Sequence, residues 1–283
     1  MMSQKIFDLV FSKVNGIEVI KNYPDSGQKQ VFLIKTKEYN AVMLKIIKKM
    51  DERVKREIDI VNSNDICGVP KIFRFDSVNY NDTDYYYILE EYIPGEALIS
   101  ILEQRNLTIH ETLDLIEDLL RTIKTLENIN VVHRDIKPAN IIYGEDKKFH
   151  LIDFGIARNL NLKSLTYTMA NVGPHTPGYG APELFQYDKS NINSKADLFS
   201  VGVVAYEAVF GEHPFVTGNE IDYNQIWYQT ITVNPKTYII DGDTDGFLVA
   251  FIKTLMQKQL SKRPPSAAKA LEWFYTTKKS LNI

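Results

Sequence analysis

The residue pattern of this chain changes once, at Pro94-Gly95, and that change constrains the fold more than any other feature. Before it, Ile17 to Tyr23, Gln30 to Thr36, Tyr39 to Ile46 and Asp84 to Tyr92 are rich in β-branched and aromatic residues, the composition of half-buried strands. Pro24-Asp25-Ser26-Gly27 is a turn signal between the first two. One helical stretch interrupts them, Asp51 to Asn62, where Val54, Ile58 and Val61 fall at helical spacing and Asp51 can cap. After Pro94-Gly95 the periodicity is helical. Thr108-Ile109-His110-Glu111 reads as a capping box ahead of Leu113, Ile116, Leu119, Leu120, Ile123 and Leu126 on one face. Ser194 starts another helix that ends at Gly211, and further helices are expected near Glu220 to Gln229, Asp245 to Leu260 and Ser266 to Lys278. A strand-rich first third followed by a helical remainder predicts an α+β chain of two lobes, about 1–93 and about 96–283, with a hinge at about 91–95.

At 283 residues the chain is too long for one small core and suits two modest lobes or one large domain. Its 44% hydrophobic and 24% charged residues are those of an ordinary globular protein. A net charge of −3 supplies no basic field for nucleic acid or an anionic membrane. Cys67 is the only cysteine, so an intrachain disulfide is impossible, which suits a reducing compartment. Met1 to Val14 lacks the apolar core of a signal peptide, and Val201 to Phe210, interrupted by Glu207, is too short to span a bilayer. A cytoplasmic protein with no nucleic-acid or membrane partner is expected.

The chemistry is concentrated in three motifs. Residues 133 to 140 read His133-Arg134-Asp135-Ile136-Lys137-Pro138-Ala139-Asn140, Asp153-Phe154-Gly155 follows thirteen residues after Asn140, and Ala181-Pro182-Glu183 comes later. Phosphoryl transfer from Mg-ATP needs one carboxylate to position a hydroxyl nucleophile, and an amide and a second carboxylate to hold the metal. In order and spacing the chain resembles the eukaryotic-like serine/threonine protein kinases over nearly its whole length, in the small bacterial form that consists of the kinase domain alone. The resemblance implies a single kinase domain over 1–283, with an antiparallel-sheet N-lobe carrying one helix, a mainly helical C-lobe and an ATP cleft at the hinge. It implies ATP and Mg²⁺ as cofactors, a protein substrate, and a monomer or transient dimer without the membrane span and outer sensor of the bacterial receptor kinases.

Residue by residue, the resemblance makes Asp135 the catalytic base and Asn140 and Asp153 the Mg²⁺ ligands, both hard oxygen donors. Lys137, two residues after the base, marks the serine/threonine branch and contacts the transferring phosphate. His133 braces the loop by packing on Phe154. Lys45 ends an apolar strand and can clamp phosphates as a point charge, oriented by a helical acid, Glu57 with Glu52 as competitor. The glycine-rich loop is reduced to Gly27. Gly27 to Val31 either folds over phosphates, with Lys29 adding charge, or forms a plain hairpin turn. Val31, Met43 and Ile142 are expected to sandwich the adenine, or to be ordinary core. The Glu91 carbonyl and the Ile93 amide would pair with its edge, and Glu90 takes the usually apolar gatekeeper position. Thr176 matches the docking-segment threonine, Glu183 should pair with Arg263, and Asp197 should anchor the catalytic loop and can at the same time close a capping box with Ser194. Arg134 is of the kind that receives an activation-segment phosphate, with Ser164, Thr166 and Thr168 as possible phosphosites.

Three functions fit these residues. An active serine/threonine kinase uses all of them. A pseudokinase binding module is the alternative that the glycine-poor loop and Met43 leave open. A small-molecule kinase of the antibiotic-phosphorylating type shares the Asp…Asn…Asp constellation, but usually lacks the Asp-Phe-Gly and Ala-Pro-Glu segment present here.

Overall fold

A computed structural model describes residues 4–24, 29–47, 52–154, 157–159, 176–185 and 191–281, with the backbone alone at 52–54, 56, 57, 158 and 159. The chain divides into two units, one of residues up to Asp65 together with Pro70–Pro94, the other of Ile66–Val69 together with Gly95 onward.

The first unit contains helix α1 (Gln4–Lys13), strands β1 (Glu18–Asn22), β2 (Lys29–Lys35) and β3 (Val42–Ile47), helix α2 (Glu52–Asn62), and strands β4 (Ile72–Tyr80) and β5 (Thr83–Glu91). The strands form one antiparallel sheet in the order β1-β2-β3-β5-β4. Alternation along β2, β3 and β5 sends Phe32, Ile34, Val42, Leu44, Ile46, Tyr87 and Leu89 to one face, where they pack with Ile6, Val10 and Val14. The other face carries Ile47 and Ile88, which pack with Ile58 of α2. Helix α1 therefore lies over the sheet, with Phe7 edge-on to Phe32 at 5.4 Å between ring centres, and the carbonyl of Lys13 accepts a bond from Arg74 at 3.3 Å.

Two of these elements were not assigned from sequence. Ile6 and Val10 of α1 stand four residues apart, but Lys5, Asp8 and Lys13 break up the apolar signal. Strand β4 is an edge strand whose register shifts between Ile72 and Arg74, so its alternation is lost and Phe73 and Phe75 stay exposed.

The second unit contains β6 (Gly95–Ala97), α3 (Leu98–Leu102), α4 (Ile109–Asn128), β7 (Val131–Val132), β8 (Ile141–Gly144), β9 (Phe149–Leu151), β10 (Arg158–Asn159), α5 (Pro182–Phe185), α6 (Ser194–Phe210), α7 (Tyr223–Thr232), α8 (Phe247–Leu255) and α9 (Ala267–Ser280). Helix α4 starts as expected. Thr108 Oγ1 accepts from the Glu111 amide at 3.2 Å, Glu111 accepts back from the Thr108 amide at 2.9 Å, and Arg105 grips the Glu111 carboxylate with two bonds. That guanidinium holds the Glu111 carboxyl down at about 2.

Helix α6 is apolar on all sides, as a central core helix must be, and is buried from Ala196 to Tyr206. It packs tightly on α8: a Cβ placed on Gly202 would lie 2.6 Å from Met256 Cγ. Its N-terminus differs from expectation. Asn193 is the cap, accepting from the Lys195 amide at 3.0 Å, while Ser194 donates to Glu127 and Asp197 turns to other partners. Among the described residues no helix is long and apolar enough to cross a membrane.

Residues 66–69 belong with the helices although they interrupt the strand-rich stretch. Thr122 Oγ1 donates to the Cys67 carbonyl at 2.9 Å, and the Leu151 amide donates to the Gly68 carbonyl at 2.8 Å.

If α1 is a structural part of the first unit, Ile6→Ala should destabilise it by about 2–5 kcal/mol, the usual result of emptying a buried isoleucine site. Urea unfolding followed by fluorescence measures the shift. An unchanged midpoint would show that α1 is a dispensable appendage.

Candidate active site

Asp135, Lys137, Asn140 and Thr176 meet in the helical unit. Pro138 opens a short 3-10 turn, Pro138–Asn140, which brings the Asn140 amide back to Asp135. Asn140 Nδ2 donates to the Asp135 carbonyl and to its Oδ2, both at 2.9 Å. Lys137 Nζ lies 2.9 Å from Asp135 Oδ2 and donates to Thr176 Oγ1 at 2.8 Å. Thr176 Oγ1 in turn donates to Asp135 Oδ1 at 2.5 Å. A carboxylate has about four lone-pair directions, and Thr176, Lys137 and Asn140 take three. The remaining one suits a hydroxyl from outside, since the Asp135 side chain is 15% exposed.

The loop that carries Asp135, Lys137 and Asn140 is anchored by a residue of α6. Asp197, fully buried in the first turn of α6, accepts from the His133 amide with Oδ2 and from the Arg134 amide with Oδ1, each at 2.8 Å. Burial pushes its carboxyl up to about 7, against the pull of the two amides and the Arg134 charge. The anchor holds Arg134 at φ +69°, a left-handed conformation that disfavours a side-chain-bearing residue by about 1–3 kcal/mol. Asp153 is the second such residue here, at φ +66°. The His133 ring stands edge-on to Phe154 at 4.7 Å, and burial lowers its pKa to about 4, so it is neutral at pH 7.

Residues 176–185 are fastened to the helices behind them. Glu183 receives two bonds from Arg263, at 2.7 and 3.0 Å, with both side chains buried. Tyr179 donates to Glu207 at 2.7 Å, and Ser200 donates to the Tyr179 carbonyl at 2.9 Å. Gly178, at φ +88°, lets His213 approach closely: a Cβ there would lie 3.0 Å from its Nε2.

In the strand-rich unit, Lys45 Nζ donates to Glu90 Oε2 at 2.6 Å. Residues 25–275 match the protein kinase domain.

The chain belongs to the protein kinase family. It is 29% identical to the probable serine/threonine-protein kinase pknA2 of Bifidobacterium longum, over 78% of this chain and 28% of that protein. It is 28% identical to the serine/threonine-protein kinase dkf-2 of Caenorhabditis briggsae, over 78% of this chain and 18% of the relative. To the serine/threonine-protein kinase PEPKR2 of Arabidopsis thaliana it is 30% identical, over 63% and 36%. The chain thus spans well under half the length of these relatives.

The other residues singled out in this chain are placed as follows. Glu57 is on α2, and its side chain is outside the described residues, as are Gly27, Ser164, Thr166 and Thr168. Val31 on β2, Met43 on β3 and Ile142 on β8 are half-buried. Val31 pairs across the sheet with Lys45, and Met43 with Glu90. The Glu91 amide donates to the Lys71 carbonyl at 2.8 Å, and its carboxylate accepts from the Lys71 amide at 3.1 Å. Ile93 is half-buried just after β5.

Sequence reasoning missed two contributors. Glu90 was noted only as an unusual residue at its position. The signal that could have found its partner is the acid itself, two residues along β5 from the position opposite Lys45. His213 gave no signal. Its Nδ1 accepts from the amides of Phe215 and Val216, at 3.1 and 3.0 Å, so the ring proton must be on Nε2.

Burial lowers His213 to about 4. Between the ordinary histidine value and 4 the unfolded chain binds a proton that the native ring refuses, so the stability due to this residue should fall as pH drops from about 6.5 towards 4. Protonating Nδ1 would also break both amide bonds. Thermal unfolding of wild type and His213→Leu across pH 4 to 8 should show a smaller acid loss in the variant. Parallel curves would count against this account.

Proposed function

We propose that the chain is a serine/threonine protein kinase that transfers the γ-phosphoryl group of ATP to a hydroxyl of a protein substrate. The observation that carries the reading is the Asp135–Lys137–Thr176–Asn140 cluster, in which one carboxylate is held by three neighbours and keeps one acceptor direction for an incoming hydroxyl.

In the reaction, the substrate oxygen forms a bond to the γ-phosphorus as the bond to the β,γ-bridging oxygen breaks and ADP leaves. The hydroxyl proton passes to Asp135. Lys137 lies beside that carboxylate and places a positive charge where the phosphoryl group moves. Lys45 holds phosphates as a point charge. Val31 and Met43, apolar and incompletely covered on the strand-rich unit, offer a face to the adenine, with the Glu91 carbonyl and the Ile93 amide at its edge.

The donor set fits Mg²⁺, which prefers few protein oxygens and completes its shell with water and phosphate. Asn140 spends its amide nitrogen on Asp135, leaving the amide oxygen for a metal, and Asp153 offers a carboxylate. When bound, the ion neutralises phosphate charge. The presence of Lys137 and the names of the relatives support the serine/threonine class.

Incubation of the purified protein with labelled ATP and generic protein substrates tests the reading. Asp135→Asn should lower transfer by ~10²–10⁴ or more, with ATP binding and melting temperature near wild type. Turnover at the wild-type rate in that variant would refute the role of Asp135. Asp153→Ala should instead abolish the Mg²⁺-dependent part of ATP binding in a calorimetric titration. Equal affinity with and without the substitution would remove Asp153 from the metal site.

A further inference from the structure

Antiparallel pairing of β3 with β5 sets Lys45 opposite Ile88 and Met43 opposite Glu90. Residues two apart along a strand share a face, so Lys45 and Glu90 are diagonal neighbours on one side of the sheet. Diagonal neighbours are within reach of long side chains. Here the charged ends meet at 2.6 Å, and the side chains are only 11% and 12% exposed. The same face carries Ile47 and Ile88, so the pair sits beside apolar groups where ionic screening is weak.

We propose that Glu90 is a positioning residue for Lys45. The assignment rests on the phosphotransfer reading above. The carboxylate holds the ammonium at a fixed place on the sheet. An ammonium is a multiple donor, so a carboxylate partner does not by itself bar donation to phosphate oxygens. Both partners are on neighbouring strands in continuous register from Val42↔Glu91 to Ile47↔Tyr86, so the brace is as rigid as the sheet and moves with it, whatever α2 contributes.

Steady-state kinetics with ATP as the varied substrate test this on wild type, Glu90→Gln, Glu90→Asp, Lys45→Met and the Lys45→Met/Glu90→Gln double variant. Glu90→Gln should raise KM for ATP and lower kcat/KM on the order of ten- to a hundredfold, the loss that a misplaced group produces. Glu90→Asp should recover part of it. The double variant should be no worse than Lys45→Met, because Glu90 acts through the lysine. Wild-type kcat/KM in Glu90→Gln would overturn the proposal. So would tighter ATP binding, which would make the carboxylate a competitor of phosphate. A lower kcat and melting temperature with unchanged KM would reduce Glu90 to a structural role and overturn it equally. If Glu90→Gln does not fold, Glu90→Met, apolar and of similar length, carries the same test. A wild-type protein that binds ATP but transfers no phosphate would sink the activity reading alone, and the same variants then decide the proposal through their ATP affinities.

Discussion

One buried carboxylate accepting two consecutive amides orders the helical unit's chemistry. Asp197 is fixed in the first turn of the central helix α6, and its two oxygens leave His133 and Arg134 little freedom. The left-handed turn at Arg134 follows, and from it the direction in which Asp135 leaves the loop. Burial opposes the charged form of Asp197 and raises its pKa. What offsets it is that both amides are also buried and would otherwise be orphaned, at about 1–3 kcal/mol each. The anchor and the strained turn therefore stabilise each other.

The same logic appears towards the C-terminal end of residues 176–185. The Arg263 guanidinium reaches Glu183, the Lys195 carbonyl and the Gln257 carbonyl, and lies over the Phe199 ring. Thr176 can hold its short bond to Asp135 because the chain just after it is tied to α6 and its neighbours. Long-range polar contacts through buried groups, rather than local propensity, set the positions of the reactive side chains.

These long-range contacts divide what could be read from the sequence from what could not. The division at Pro94-Gly95, the capping box at Thr108 and Glu111, and the order of Asp135, Asn140 and Asp153 are local patterns, and they were legible. The pairing of Glu183 with Arg263 was legible only through family resemblance, since 80 residues separate them. Helix α1 was missed because charges interrupt its apolar stripe, and β4 because its register shift erases alternation. The Asp197 capping box was a local reading overridden by a tertiary one: Asn193 caps the helix, which releases Asp197 for the loop. Glu90 and Lys45 are 45 residues apart and meet through strand register, which no sequence window contains.

The assignment of residues 66–69 to the helical unit makes the chain cross between its two units three times, after Asp65, after Val69 and after Pro94. Neither unit is then a continuous piece of sequence. A fragment beginning at Gly95 would lack the carbonyls of Cys67 and Gly68 that receive the Thr122 hydroxyl and the Leu151 amide. During synthesis the strand-rich part emerges first, yet the short segment within it stays without its partners until α4 and β9 have been made. Completion of the second unit thus draws on a segment made before its own helices, and no single cut of the chain yields that unit whole, since a cut after Pro94 leaves residues 66–69 behind.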